Sequence, residues 1–239
     1  MMEFLFLDLD DTILDFHKAE RIALSRTLES FGVAPEDEVL ARYHVINLQH
    51  WERLETGELT RDQVQEGRFR VLFQELGMEV DPVAVTRTYE RNLGIGHYFL
   101  PGAEEAVQSL HKKYRLFLAS NGTASVQHSR LTSAGLYPYF EKVFVSQDIG
   151  YNKPARDYFE ACFRQIPDFC PERAIMVGDS LTSDILGGIN AGIRTCWVNP
   201  QGNSAPEAYT PTWQIGSLSE LPALLESINA GKGQQHEEE

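Results

Sequence analysis

Five short, nearly continuous apolar runs divide the 239-residue chain, and helical patterns lie between them. Runs of this length are typical of strands that are buried on both faces of a sheet. They cover Met2–Leu9, Arg115–Ser120, Lys142–Ser146, Ala174–Gly178 and Arg194–Asn199. Strands that alternate with helices predict an α/β fold built on a doubly wound parallel sheet.

The segment after the first run, residues 15–96, has helical periodicity and no convincing strand. Four helices are predicted there, over Ala19–Phe31, Val39–Glu55, Thr60–Leu76 and Pro82–Leu93. A helical block inserted after the first strand indicates a cap over the edge of the sheet. We therefore expect an α-helical cap at 15–96, a catalytic core made of 1–14 and 97–229, and a polar tail at 230–239.

The acidic balance of the chain limits its partners. A formal net charge of −14 repels polyphosphate backbones and anionic lipids, so neither a nucleic-acid polymer nor a membrane is expected as partner. The three cysteines lack CxxC spacing and predict neither a disulfide framework nor a zinc site. With no signal-peptide pattern and no run of about 20 apolar residues, a cytoplasmic location is predicted.

Polar residues follow four of the five predicted strands. In a parallel sheet, ligands bind beyond the carboxyl ends of the strands, so these residues are expected to meet at one rim. In chain order they are Asp8, Asp10, Asp11 and Thr12, then Ser120, Asn121 and Gly122, then Lys153, and finally Asp179 and Asp184. Any one of these groups alone is compatible with ordinary loop capping, but together they predict phosphate chemistry.

Several carboxylates at one rim repel one another unless a cation lies between them. Magnesium takes oxygen ligands and keeps several waters, so it suits this set. Asp8 and Asp179 are the predicted direct ligands, together with the backbone carbonyl of Asp10. Asp184 is expected to orient a metal-bound water or Lys153.

The remaining groups predict how a phosphate is held and transferred. The Lys153 ammonium, the Ser120 hydroxyl and backbone N–H groups beside Asp8 and Ser120 are expected to neutralise the charge on the phosphoryl oxygens, and Asn121 is a further predicted substrate contact. Asp8 is the predicted nucleophile that forms an aspartyl-phosphate. Asp10 is the predicted acid and base: it protonates the leaving oxygen and then deprotonates the attacking water.

The sequence lacks the motifs of several other catalytic classes. The sequence contains no GxxxxGK[ST] loop, no GxSxG and no HExxH. Its seven histidines are scattered without ligand spacing, and His17 and His97 are interpreted as structural or solvated.

The four motifs together resemble the haloacid dehalogenase-like hydrolase superfamily. They are Asp8-x-Asp10-x-Thr12, Ser120-Asn121-Gly122, Lys153-Pro154 and Gly178-Asp179-(x)4-Asp184. The resemblance implies a sheet with strand order 5-4-1-2-3 and an α-helical cap inserted after the first motif. It also implies the roles given above, with Mg²⁺ bound at Asp8, Asp10 and Asp179. Thr12 and Asp184 are expected to support these residues without contacting the metal.

The segment Gly178–Pro200, and the cap around Asn47, Trp51 and Gly67–Phe69, are similar to the YjjG/YfnB-type branch of this superfamily. That similarity implies nucleoside 5'-monophosphates as substrates, with pyrimidine and deoxy forms preferred. In the cap, Trp51 and Phe69 are candidates for stacking on a base, and Arg68 for contacting a carbonyl or phosphate. On helices, however, Trp and Phe are more often core anchors, so neither aromatic residue is assigned to binding from the sequence alone.

Three other functions stay open at this point. Two use the same scaffold: a phosphatase for sugar phosphates and a phosphosugar mutase. The third belongs to another class, a phospho-accepting receiver module, although receivers are about half this length and phosphorylate an Asp on a later strand. In the preferred interpretation the partner is a small phosphorylated metabolite, and the protein is a monomer or a homodimer.

Overall fold

The computed structural model describes residues 1–231, and its centre is a parallel sheet. The described strands are β1 (Phe4–Leu7), β2 (Arg115–Ser120), β3 (Lys142–Val145), β4 (Ala174–Gly178), β5 (Arg194–Val198) and β6 (Trp213–Ile215), in the order β3-β2-β1-β4-β5-β6. The predicted parallel α/β fold and the order 5-4-1-2-3 are confirmed for the five predicted strands. The sequence analysis missed β6, which adds a sixth strand beside β5.

The central strand β1 is buried on both faces, as its apolar run requires. It lies between β2 and β4, with Phe4 in register with Arg115 and Ala174. Alternate side chains of β1 point to opposite faces: Leu5 packs into the hydrophobic cluster on one face and Phe6 into the cluster on the other. The carboxyl end of β1 therefore opens in the middle of the sheet rim, where Asp8 follows.

Helices cover both faces of the sheet and extend beyond its rim. Their bounds are α1 (Phe16–Ser30), α2 (Asp37–Glu55), α3 (Arg61–Glu75), α4 (Pro82–Leu93), α5 (Ala103–Leu110), α6 (Ala124–Ser133), α7 (Ser146–Ile149), α8 (Arg156–Phe163), α9 (Leu186–Asn190) and α10 (Leu221–Gly231). Among residues 1–231, no helix combines the length and apolarity needed to cross a bilayer.

Helices α1 to α4 form a hydrophobic cluster of their own, and all four overlap the helices predicted in 15–96. Tyr43 and Phe69 stack there with ring centroids 5.1 Å apart. At the N-terminus of α3, the Thr60 hydroxyl accepts a hydrogen bond from the Gln63 N–H in a full capping box. This capping box fixes the residue at which α3 begins. The division at 15–96 stays a prediction. Helix α10 continues to Gly231, and positions 232–239 of the predicted tail lie outside the described residues.

Candidate active site

The buried ammonium of Lys153 joins three parts of the sheet rim. Its Nζ donates to Asp8 Oδ1 at 2.7 Å, to Asp184 Oδ1 at 2.6 Å and to the carbonyl of Ala119 at 2.7 Å. Only 1% of Lys153 is exposed. The structure thus brings together residues that are as many as 145 positions apart along the chain, as the sequence analysis expected.

Burial dominates the electrostatics of this cluster. It raises the pKa of Asp8 to about 8, although Lys153 opposes the shift. It also raises the pKa of Asp179 well above its usual value, with further contributions from Asp184 and Asp8. Burial alone would lower the pKa of Lys153, but Asp184 and Asp8 outweigh it and raise that pKa. Carboxylates therefore outnumber the cations that face them.

The carboxylates have the chemistry of a site for a hard divalent cation. One oxygen from each of Asp8, Asp179 and Asp184 lies within 4.8 Å of the others. Asp184 engages both of its oxygens, Oδ1 with Lys153 and Oδ2 with the Ser180 N–H at 3.1 Å. Asp8 and Asp179 are left as the ligands that fit a metal, and an all-oxygen donor set suits Mg²⁺.

Local backbone features hold Asp179 and Asp184 in place. The Trp197 indole N–H donates to the Asp179 carbonyl at 2.7 Å. A Cβ at position 178 would lie 2.1 Å from Asp184 Oδ2, so only glycine lets this carboxylate approach the end of β4. This close approach is the physical reason for a glycine before Asp179.

The loop after β2 positions Lys153 as well as Ser120. The Asn121 side chain bonds the backbone of Lys153 twice: its Nδ2 donates to the Lys153 carbonyl at 2.9 Å, and its Oδ1 accepts from the Lys153 N–H at 2.8 Å. Ser120 Oγ accepts from the Gly122 N–H at 3.1 Å. The side chain of Asn121 is thereby committed to Lys153, and its predicted contact with a phosphate falls to its backbone N–H.

Two residues that the sequence analysis missed hold Asp10. Gln127 Nε2 donates to Asp10 Oδ2 at 2.6 Å, and the Arg130 guanidinium forms a short ion pair with Asp10 Oδ1. Both lie on α6, which begins just after the Ser120 loop. The available signal was two polar residues three positions apart on a helix next to a motif, because such residues share one face.

The other predicted residues have plainer surroundings. Thr12 is fully buried, and within residues 1–231 its Oγ1 has no hydrogen-bond partner. His97 is exposed and contacts the Ile95 carbonyl, which agrees with a structural interpretation. His17 lies at the cavity near Asp11, with Nε2 and Oδ2 3.4 Å apart.

A cavity of about 380 Å³ separates the rim from helices α1 to α4, which make up the predicted cap. On the side of these helices its wall, here called the cap wall, includes Asn47, Trp51 and Arg68. Asn47 Oδ1 accepts from Trp51 Nε1 at 3.0 Å and from Arg68 Nη1 at 2.8 Å, and Asn47 Nδ2 donates to Glu20 Oε1 at 2.6 Å. Phe69 is fully buried in the cap cluster and does not line the cavity, so the core-anchor interpretation is the correct one for it.

Helix α3 also contacts the loops at the sheet rim directly. Arg61, at the start of α3, donates to the carbonyls of Asn121 and Gly122 and to the side chains of Ser146 and Asn152. These distances run from 2.6 to 3.2 Å. Arg61 therefore ties α3 to the two loops next to Ser120 and Lys153.

Comparison with known proteins tests the predicted family. Residues 2–192 match the family model of the haloacid dehalogenase-like hydrolases. The chain is 39% identical over 225 residues to the HAD-hydrolase YfnB of Bacillus subtilis, covering 94% of this chain and 96% of that protein. A crystal structure of that YfnB bound to magnesium matches with a TM-score of 0.89, covering 94% of this chain and 98% of that one.

Two further relatives carry a named activity. The pyrimidine 5'-nucleotidase PynA of Streptococcus pneumoniae is 37% identical over 94% of this chain and 95% of its own length. The pyrimidine 5'-nucleotidase YjjG of Escherichia coli is 32% identical over 93% of this chain and 97% of its own length. The predicted likeness to the YjjG/YfnB-type branch is confirmed. The chain belongs to the haloacid dehalogenase-like hydrolase family.

Proposed function

We propose that the protein is a magnesium-dependent phosphomonoester hydrolase that acts on nucleoside 5'-monophosphates through an aspartyl-phosphate on Asp8. The observation that carries the proposal is the convergence of Asp8, Lys153 and Asp179 on one cavity beneath a polar cap wall. Residues 15–96 act in this proposal as the cap that closes the cavity over the nucleoside.

In the first step, a carboxylate oxygen of Asp8 attacks phosphorus, and the bond from phosphorus to the leaving oxygen breaks. Asp10 donates a proton to that oxygen, so the nucleoside leaves as an alcohol. Ser120 Oγ, the Lys153 ammonium and the Asn121 N–H bind the phosphoryl oxygens, where negative charge is spread during transfer.

In the second step, water attacks the phosphorus of the aspartyl-phosphate. Asp10, now a carboxylate, takes a proton from this water, and the bond from phosphorus to Asp8 breaks. Inorganic phosphate and the original carboxylate of Asp8 result, so protons and bonds balance over the cycle.

The side chains of Asp8 and Asp179 and the carbonyl of Asp10 would hold Mg²⁺. Bound there, the ion supplies positive charge to the phosphate and to the crowded carboxylates. Asp184 keeps Lys153 in position through its 2.6 Å contact. Thr12 is fully buried beside the loop residues Asp10 and Asp11 in the sequence and is proposed to support them.

The nucleotide assignment is supported by the activity that PynA and YjjG carry in their names. The cavity of about 380 Å³ is also within the range of small-molecule sites. Its cap wall offers hydrogen-bonding groups and an indole, which are the groups that recognise the edges and faces of a base. Longer nucleic acids are disfavoured by the net charge of −14.

A phosphate-release screen tests the proposal. The purified chain is incubated with pyrimidine and purine nucleoside 5'-monophosphates, their deoxy forms and a panel of sugar phosphates, each with Mg²⁺ and with EDTA. We expect the highest kcat/KM with pyrimidine nucleotides, and activity only with the metal. A preference for sugar phosphates would replace the nucleotide assignment by the alternative on the same scaffold, and full activity in EDTA would contradict the metal.

A further inference from the structure

We propose that Arg130 and Gln127 are positioning residues that hold the Asp10 carboxyl in the orientation needed for proton transfer to the leaving group. This inference rests on the proposed role of Asp10 as acid and base. It assigns a task to two residues of α6 that none of the four sequence motifs contains.

The contacts divide the Asp10 carboxyl between two donors. Arg130 Nη1 pairs with Oδ1, and Gln127 Nε2 donates to Oδ2 at 2.6 Å. The two donors are themselves joined, since Arg130 Nη1 donates to Gln127 Oε1 at 3.0 Å. A carboxyl group that is hydrogen-bonded at both oxygens cannot rotate freely about its Cβ–Cγ bond. The directions of its remaining lone pairs are therefore fixed.

Arg130 lies in the interior of the protein and not on its surface. It is 0% exposed, and its Nε donates to the carbonyl of Gly96 at 2.8 Å. Its Nη2 is buried and has no hydrogen-bond partner among residues 1–231. Arg is almost never fully buried unless it is paired, and the charged partner of this guanidinium is Asp10.

The backbone of the Ser120 loop leaves room for Gln127. A Cβ at position 122 would lie 2.4 Å from Gln127 Nε2, so a residue larger than glycine would displace the amide from this position. The same Nε2 also donates to Ser120 Oγ at 2.8 Å. Gln127 thereby links Asp10 to the proposed phosphate-binding hydroxyl.

The arrangement also couples Asp10 to the chain that leaves the predicted cap. Arg130 bonds Gly96, and its neighbour Ser129 donates through Oγ to the Gly94 carbonyl at 2.9 Å. Arg130 thus contacts both Asp10 and the segment that enters the core from the predicted cap.

The test compares two substrates that differ in their need for an acid. The p-nitrophenolate ion leaves without protonation, whereas the alkoxide of a nucleoside does not. In Arg130→Met, which has a side chain of similar length but no donor, kcat/KM for a nucleoside monophosphate should fall about 10²–10⁴-fold, the usual contribution of a positioned acid. For p-nitrophenyl phosphate it should fall less than about tenfold. The kcat/KM of Arg130→Lys for a nucleoside monophosphate should lie between those of wild type and Arg130→Met, because lysine keeps the charge but lacks the planar guanidinium.

Controls separate this inference from the proposed function. Asp10→Asn should show the same substrate-dependent loss, and if it does not, the acid role of Asp10 is wrong. Ser129→Ala removes a bond to the same return segment without touching Asp10, and it should leave the ratio of the two kcat/KM values unchanged. Thermal unfolding of each variant establishes that it is folded.

An equal loss on both substrates in Arg130→Met, with Asp10→Asn behaving as expected, would overturn the positioning role. Should Arg130→Met fail to fold, Gln127→Met carries the test. Its loss of the Ser120 contact affects both substrates alike, so the ratio still reports on Asp10. An unchanged ratio in a folded Gln127→Met would equally overturn the inference.

Discussion

The core rim and the cap wall face each other across one cavity, but their side chains are fixed in different ways. At the rim, Asp8 and Lys153 are held by strand ends and loops, and the same few atoms bind one another. In the cap wall, Asn47 and Arg68 are held by side-chain hydrogen bonds between helices. In the proposed function, the rim is the reaction centre common to all substrates, and the wall distinguishes among them.

This difference predicts separate kinetic signatures. Changes at the rim should lower turnover of every phosphate ester, because the phosphoryl group is common to all. Changes in the wall should act on the nucleoside, and so on KM and on the ratio between substrates. Contacts that join the two regions should affect all substrates to a smaller degree.

The largest effect is expected for Asp8→Asn, since an amide cannot attack phosphorus. Activity should fall by at least about 10³-fold on nucleotides and on p-nitrophenyl phosphate alike. Phosphate release under saturating substrate measures it, with the exposed Asp37→Asn as matched control. Retained activity would remove Asp8 as nucleophile.

Asn47→Leu tests the cap wall. It removes the acceptor shared by Trp51 and Arg68 and the donor to Glu20, so the wall loses its arrangement. We expect KM for nucleotides to rise about 10–100-fold, as for the loss of one or two buried polar contacts. KM for p-nitrophenyl phosphate should change much less. Gln49→Leu, on an exposed position of α2, is the control. Equal increases for both substrates would deny the wall a role in recognition.

Arg61→Met breaks the bonds between the cap and the two core loops. Because those loops carry Ser120 and Lys153, kcat/KM should fall about tenfold for both substrates, corresponding to loss of one charge-assisted bond or more. Arg70→Met, an exposed position on the same helix, should have no effect. A loss confined to nucleotides would place Arg61 with the wall instead.

The smallest effect concerns pH and Glu55, whose Oε2 accepts from Thr182 Oγ1 across the cavity edge at 2.9 Å. Burial raises the pKa of Glu55 from 4.5 to about 7, despite the opposing hydrogen bond from Thr182. The folded protein thus holds this proton more tightly than the unfolded chain, and the resulting stability is present below pH 4.5 and lost as pH rises through about 7.

Glu55→Gln removes this titration. Its free energy of unfolding relative to wild type should increase by about 1 kcal/mol between pH 5 and pH 8, after allowance for partial exposure. Urea unfolding at the two pH values measures the change, and the exposed Glu38→Gln serves as control. A difference from wild type that does not vary with pH would contradict the assignment.

The two regions also differ in how well the sequence predicts them. Strand ends converge by the topology of a parallel sheet, so Asp8, Ser120, Lys153 and Asp179 could be placed together without coordinates. Strand β6 escaped prediction because it has three residues, of which Ile215 alone is buried.

In the predicted cap, two adjacent residues have different surroundings. Arg68 lines the cavity, whereas Phe69 turns into the aromatic cluster. Which face of a helix meets a cavity depends on how the helices pack, and local pattern does not specify that. Gln127 and Arg130 were missed for the same reason, since their use depends on where α6 crosses Asp10.

The central claim is that Asp8 carries the phosphoryl group during turnover. Asp10→Asn with p-nitrophenyl phosphate and Mg²⁺ should load the enzyme readily and release phosphate slowly, so the covalent intermediate accumulates. Acid quenching, proteolysis and mass spectrometry should then find one phosphoryl group on the peptide that contains Asp8. A phosphoryl group on another residue, or none during continuing turnover, would contradict the account.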